Sequence, residues 1–238
     1  MTTDTTSPPP IAPPRAHCRA KSWLPLTMLL TGSAAFLAIA ADLHFHGLLS
    51  QCDEPIHKFL HTHSDPFGVI LFSALSFLGE FALLGPFAFA VGIYLFLQRR
   101  LRPLFIWATA LLGSAIINES LKHLFKVPRP TRYTYYVWET THPGYSFPSG
   151  HTMGVAITAG ALVLLARHLE LITPKTFPRA TAAVIALSLA VAFALLYMGV
   201  HTLTDVLSAL AISLAWLGAI ALLLNATRRV SAGPSPRE

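Results

Sequence analysis

The sequence predicts an all-α, polytopic membrane protein with six transmembrane helices. Three observations carry that prediction. Hydrophobic residues make up 53% of the chain and charged residues only 12%, a balance that a water-soluble domain of this length rarely shows. The apolar residues come in long blocks rather than amphipathic stripes, and about 20 of them in a row cross roughly 30 Å of hydrocarbon as a helix. The basic residues gather between alternate blocks, as the positive-inside rule requires.

In chain order, the spanning segments are 22–41, 81–97, 103–121, 150–166, 180–199 and 203–224. Residues 1–20 are polar and rich in Pro and Thr, which predicts a disordered cytoplasmic tail; 227–238 reads as a second one. Between them, 21–226 forms one membrane domain in which 42–79 is an outward, interfacial segment. The first block ends "AIAADL", which admits a signal peptide cut after Ala40, but its length and even apolarity favour a retained helix.

The formal net charge of +6 suggests an anionic partner, and its distribution argues against nucleic acid. Arg15, Arg19 and Lys21 precede the first block, and Arg99, Arg100 and Arg102 follow the second. Arg167, Lys175 and Arg179 separate the fourth from the fifth, and Arg228, Arg229 and Arg237 follow the last. All fall on one side of a six-helix topology, which places both termini in the cytoplasm. Lys58, Lys122, Lys126, Arg129 and Arg132 are left facing outward, against the rule, where an anion would explain them. Cys18 and Cys52 fall on opposite sides and cannot pair.

Segment 42–79 carries His44, His46, His57, His61 and His63 beside Asp42, Asp53, Glu54 and Asp65. A zinc site is one reading; an interfacial helix pair with a wet polar face is the other. No tight ligand motif repeats, which favours the second. Residues 65–78 are apolar but too short to span, so they are expected to pack at the interface. No internal repeat is visible, which argues against a transporter.

Polar residues at membrane depth are costly, about 2.5–3.5 kcal/mol for a charged one on insertion scales, and so mark function. Three clusters stand out at the outer helix ends. In "LKHLFKVPRP", Lys122 ends the third helix, Pro128 and Pro130 stop it, and Arg129 is held between prolines. Two such cations suit a phosphate, though either could anchor to lipid headgroups. In "PSGH", Ser149 is a natural N-cap and Gly150 permits close approach. The helix that follows offers open N–H groups to an anion, with His151 beside them to move a proton. In "YMGVHTLTDVLSA", His201 and Asp205 are four residues apart and share a face if the sixth helix has begun. A carboxylate there would orient the imidazole as base or nucleophile, or would merely cap the helix.

The order of these clusters, Lys-x6-Arg-Pro, Pro-Ser-Gly-His and His-x3-Asp, resembles the type 2 phosphatidic acid phosphatase family. These are integral-membrane lipid phosphatases, related in fold to vanadium haloperoxidases and bacterial acid phosphatases. Lys122, Arg129 and Pro130 match the first motif, Pro148, Ser149, Gly150 and His151 the second, and His201 and Asp205 the end of the third. The third motif of the family opens Ser-Arg, whereas this chain has Ala194 and Leu195. The family's third phosphate-binding cation is therefore missing. Loss of one such donor typically costs about 10²–10³ in rate. Lys126 and Arg132 are the outward cations that could replace it.

The resemblance implies a helical-bundle fold and a phosphohistidine mechanism without a metal or other cofactor. His201 would attack phosphorus, Asp205 hold its ring, and His151 protonate the leaving oxygen. Lys122, Arg129, Ser149 and the Gly150 amide would bind the phosphate. The expected partners are the bilayer and a lipid phosphate: undecaprenyl pyrophosphate, phosphatidylglycerol phosphate or phosphatidic acid. A bacterial inner membrane fits, with the site on its outer face. A phosphotransferase with the same site, or a degenerate lipid-phosphate-binding member, are the alternatives. The aromatic loop 131–145 reads as an interfacial anchor. Glu119, one turn before Lys122, reads as a satisfying partner for Lys122 or Lys126, and neither it nor Glu80, which opens the second helix, belongs to the catalytic set.

Overall fold

A computed structural model describes residues 23–135 and 144–231 of the chain. The tail 1–20, Lys21, Cys18, most of the aromatic loop and the last seven residues lie outside the described residues. The helices are α1 (Trp23–His44), α2 (Leu48–Gln51), α3 (Asp53–Thr62), α4 (Pro66–Ser76), α5 (Phe81–Leu97), α6 (Leu101–Phe125), α7 (Gly150–His168), α8 (Phe177–Tyr197) and α9 (Leu203–Ser231). A 3₁₀ turn, Phe77–Gly79, joins α4 to α5. Among the described residues there is no strand, only an isolated bridge between Pro128 and Tyr145.

Six stretches are long and apolar enough to cross a membrane, as the sequence predicts. The protein is an integral membrane protein, and its exposure pattern inverts that of a soluble one. Leu30, Phe89, Ile116 and Leu97 point outward, as side chains facing lipid do. α7 and α9 are half buried and form the centre, whereas α5 is nearly all surface. The core between α5, α6, α7 and α9 is built on Leu95, Trp107, Met153, Ile157, Ala209 and Ile220. Two indoles lock it: Trp107 donates to the Ala88 carbonyl at 3.0 Å and Trp216 to the Ala110 carbonyl at 2.9 Å.

Helix ends depart from the sequence expectation where no steric rule fixes them. α6 does not stop at Lys122 but runs on to Phe125, because Pro128 restricts only the residue directly before it. Lys126, in a left-handed conformation (φ 52°), ends the helix. α9 continues past 224 to Ser231, since no Gly or Pro interrupts the chain there. The predicted short segment 65–78 forms α4 and the 3₁₀ turn. At 11 residues α4 rises only about 16 Å, too short to span alone. It packs instead on α8, with Phe72 against Phe193 and Tyr197.

α1 lies along α9 at backbone contact. A Cβ on Gly32 would stand 2.5 Å from the Ala215 nitrogen, and one on Gly218 2.6 Å from the Leu29 nitrogen. Small residues permit this approach, which is a main source of helix association in lipid. Ala40, the possible cleavage position, is itself buried in a cluster with Phe36, Phe147 and Ala211. α1 is thus a packed part of the bundle.

The segment between α1 and α5 and the α6–α7 and α8–α9 connections gather at one end of the bundle. The α5–α6 connection, with Arg99 and Arg100, and the α7–α8 connection, flanked by Arg167 and Arg179, lie at the other. Gly218→Ala is expected to lower the thermal midpoint in detergent by the equivalent of about 1–3 kcal/mol, the usual cost of overpacking. Outward-facing Ile116→Ala should change stability by no more than about 0.5 kcal/mol. Equal midpoints for the two variants would contradict the packing described.

Candidate active site

Two helix N-termini meet at that end, and the turn before α9 organises them. Thr202 and Asp205 cap the helix reciprocally: the Asp205 N–H donates to Thr202 Oγ1 at 3.2 Å and the Thr202 N–H to Asp205 Oδ2 at 3.0 Å. The same Oδ2 accepts from His201 Nδ1 at 3.1 Å. His201 therefore lies in the turn ahead of the helix rather than on its face, and the helix cap makes the His–Asp pair. Oδ1 accepts from the Ser146 hydroxyl at 3.3 Å. Both members are buried, His201 at 1% exposure and Asp205 at 0%. With Nδ1 held, Nε2 is the imidazole nitrogen left for a substrate.

The histidine-rich segment braces this turn. Asp53 accepts from the Thr204 N–H at 3.1 Å and the Thr204 hydroxyl at 2.7 Å. Burial pushes the Asp53 carboxyl up, against the Thr204 hydrogen bonds that pull it down. His57, itself buried, bonds through Nε2 to the His201 carbonyl at 2.7 Å. Two other acids of the segment hold helix starts: Asp42 accepts from the Ser50 N–H at 2.7 Å, and Asp65 from the Gly68 N–H at 3.0 Å. Among the described residues, no three His, Cys, Asp or Glu side chains converge as metal ligands.

α7 begins as predicted. The Ser149 hydroxyl accepts from the Thr152 N–H at 3.4 Å, and the Ser149 N–H donates to the Asp205 carbonyl at 3.1 Å, which ties the two helix starts together. Asn118 on α6 donates to the Pro148 carbonyl at 3.3 Å. Lys122 follows one turn later, its Nζ 3.7 Å from where a Cβ on Gly150 would sit. Lys122 also meets Glu119 at 3.5 Å. His151 faces His201 with ring centroids 6.4 Å apart, and its Nε2 lies 3.0 Å from Glu80 Oε1. Arg129 lines a cleft of ≈ 370 Å³ with Asp53, His57 and Thr202.

The arrangement is one buried imidazole with a free nitrogen, a second imidazole across from it, and cations at a helix N-terminus. A family comparison matches this architecture: the model of the PAP2 superfamily covers residues 103–229. The chain belongs to the PAP2 superfamily. It is 29% identical over 185 residues to phosphatidylglycerophosphatase B of Bacillus subtilis (strain 168), covering 75% of this chain and 86% of that one. In fold it is similar to the crystal structure of a transmembrane PAP2-type phosphatidylglycerolphosphate phosphatase from Bacillus subtilis. The TM-score is 0.70 at 22% identity, over 90% of this chain and 100% of that one. Aquifex aeolicus LpxE is a more distant likeness, at TM-score 0.51 and 23% identity over 72% of this chain and 95% of that one. The protein is a PAP2-type membrane lipid phosphatase.

This PAP2 chain brings Lys122, Arg129, Ser149, Gly150, His151, His201 and Asp205 to one end of the bundle. It does not bring a cation to the third-motif position. Leu195 is 1% exposed and packs with Val191, Met198, Val200 and Val206; Ala194 is fully buried. Arg132 pairs with Glu54 at 3.4 Å on the exposed rim of the cleft, and Lys126 is an exposed helix cap. Tyr133 and Tyr135, from the aromatic loop, stack near His61 of α3 rather than standing free. Sequence reasoning gave no place at the site to five supporting residues: Asp53, His57, Glu80, Asn118 and Ser146. A carboxylate at membrane depth was the available signal for Glu80.

Burial lowers the His201 pKa below the usual histidine value; the Asp205 hydrogen bond and charge oppose that, while Arg129 and His151 add to it. That balance favours the neutral form of His201. Asp205→Asn should lower its titration further, because it removes the influences that raise it, and Arg129→Gln should raise it. Histidine-selective NMR across pH measures both. An upward shift in Asp205→Asn would contradict the described balance.

Proposed function

We propose that this protein hydrolyses the terminal phosphate of a membrane lipid, phosphatidylglycerol phosphate first among the candidates, through a phosphohistidine at His201. The observation that carries this reading is the pair of imidazoles: His201, buried and held at Nδ1 by Asp205, faces His151 across 6.4 Å between ring centres. A neutral imidazole with a free Nε2 is a nucleophile, and a second one opposite it can serve the leaving group.

His201 Nε2 forms a bond to phosphorus as the bond from phosphorus to the lipid oxygen breaks. His151 gives its proton to that oxygen, and the dephosphorylated lipid, phosphatidylglycerol from phosphatidylglycerol phosphate, leaves. Water then attacks the phosphohistidine, His151 takes its proton, and His201 is released with inorganic phosphate. Asp205 stabilises the positive charge that His201 carries in between. Lys122, Arg129, Ser149 and the open N–H groups at the start of α7, Gly150 among them, bind the phosphate oxygens. Three charge-bearing or dipolar elements thus share what the family's further arginine does elsewhere, and Leu195 leaves the position apolar.

An apolar cavity of ≈ 550 Å³, lined by Val69, Ile70, Phe77, Leu195 and Val200 and reaching Glu80, adjoins the site. Its lining suits lipid chains whose headgroup enters from the bilayer edge. The name of the Bacillus subtilis relative favours phosphatidylglycerol phosphate over undecaprenyl pyrophosphate and phosphatidic acid. The cation distribution along the chain supports cytoplasmic termini with the site on the outer face, and the bacterial relative supports a bacterial inner membrane.

Phosphate release by the purified protein from these three lipids, with EDTA present, tests the substrate. Phosphatidylglycerol phosphate should give the highest kcat/KM. His201→Ala should lose at least about 10³-fold in kcat, as removal of a nucleophile does. Alkaline quench of a reaction with phosphorus-32 headgroups should trap label on wild-type protein and none on His201→Ala. Turnover by His201→Ala within tenfold of wild type would sink the mechanism, and transfer of label to an added lipid alcohol instead of water would make the enzyme a phosphotransferase.

A further inference from the structure

We infer that Glu80 is a positioning residue for this reaction: it fixes His151 as the proton donor and assigns the transfer to His151 Nδ1. The inference rests on the proposed role of His151 and names a group outside the three sequence motifs. Glu80 Oε1 lies 3.0 Å from His151 Nε2. Glu80 occupies the N-cap position of α5, yet its side chain makes no capping hydrogen bond to that helix. Its carboxylate is turned to His151 instead.

The backbone is built for that contact. Gly79 is buried against the first turn of α7: a Cβ there would stand 2.8 Å from His151 Cβ and 3.2 Å from His151 Cα. Only a residue without a side chain lets the 3₁₀ turn approach so closely, and the next residue then meets the ring. Glu80 also borders the apolar cavity beside the site, so the carboxylate stands where substrate chain and headgroup divide.

The chemical consequence follows from which nitrogen is occupied. A carboxylate accepts, so His151 donates through Nε2–H, and Nδ1 is the nitrogen that exchanges protons with substrate. In the first step, the imidazolium passes the Nδ1 proton to the departing lipid oxygen and becomes the neutral Nε2–H form. That form presents a lone pair at Nδ1 to the incoming water, whose proton restores the imidazolium in the second step. Glu80 holds Nε2–H in both states, so the ring keeps one orientation and one tautomer through the cycle. His201 is arranged the opposite way, with Nδ1 held by Asp205 and Nε2 reactive.

The dependence of rate on the leaving group tests this. Hexadecyl phosphate releases an alkoxide that needs a proton, whereas 4-nitrophenyl phosphate releases a phenolate that does not. Glu80→Gln should lower kcat/KM for hexadecyl phosphate about 10- to 100-fold, part of the ~10²–10⁴ attributable to a general acid. It should leave 4-nitrophenyl phosphate within about threefold and inorganic phosphate inhibition unchanged. His151→Asn, run beside it, should show the same selectivity with a larger loss. Equal losses on both substrates in Glu80→Gln, with His151→Asn still selective, would overturn the role of Glu80 alone. An unselective His151→Asn would overturn the general-acid reading beneath it. Nitrogen-15 histidine NMR of the wild-type protein, assigned by His151→Asn, gives a measurement independent of Glu80 variants: neutral His151 should be the Nε2–H tautomer. The Nδ1–H tautomer would refute the assignment.

Discussion

The site depends on one buried carboxylate. Asp205 has no exposure to solvent, so both of its oxygens must be satisfied from within the protein. Each of the bonds it accepts comes from a functionally different place. Thr202 N–H starts α9, His201 Nδ1 supplies the reactive ring, and Ser146 belongs to the loop that leads into α7. Removing any one partner would leave a buried lone pair unpaired, which commonly costs about 1–3 kcal/mol. The helix cap, the ring orientation and the loop position are therefore one arrangement. The question whether the His–Asp pair is catalytic or a helix cap has the answer that the cap is how the pair is made.

A second consequence concerns charge. Ser149 N–H bonds to the Asp205 carbonyl, so the starts of α7 and α9 are held side by side. The start of α7 carries the positive end of its helix dipole. Lys122 reaches the same place from the last turn of α6, and Arg129 from the loop beyond it. The positive field at this end of the bundle is thus distributed over backbone and side chains. That distribution offers a physical account of how a chain with Leu195 keeps the rest of its site intact.

The sequence made legible what is local. Ser149 caps α7 because the cap and the helix are neighbours in the chain, and His201 finds Asp205 across a single turn. The six spans were legible because membrane thickness dictates their length. Illegible were the contacts between distant segments. Glu80 and His151 are 71 positions apart and meet only because a 3₁₀ turn seats Gly79 on α7. Asp53 reaches Thr204 across 151 positions, so a histidine-rich tract that suggested metal or a wet surface turns out to brace the turn before α9. Helix ends were misjudged at Lys122 and beyond Leu224, where neither a proline nor a glycine sets the boundary.

The spread of these contacts has a bearing on biosynthesis. Asp53 meets Thr204 and His201 meets Asp205 only after α9 has joined the bundle, and α9 follows the other described helices in the chain. Its long partner is α1, the first, laid along it through Gly32 and Gly218. The chain must therefore keep its first helix available in the membrane until its last arrives, and a nascent or truncated chain lacking α9 holds neither His201 nor Asp205. The pairing of α9 with α1 and the formation of the His201–Asp205 pair therefore both wait on the insertion of α9.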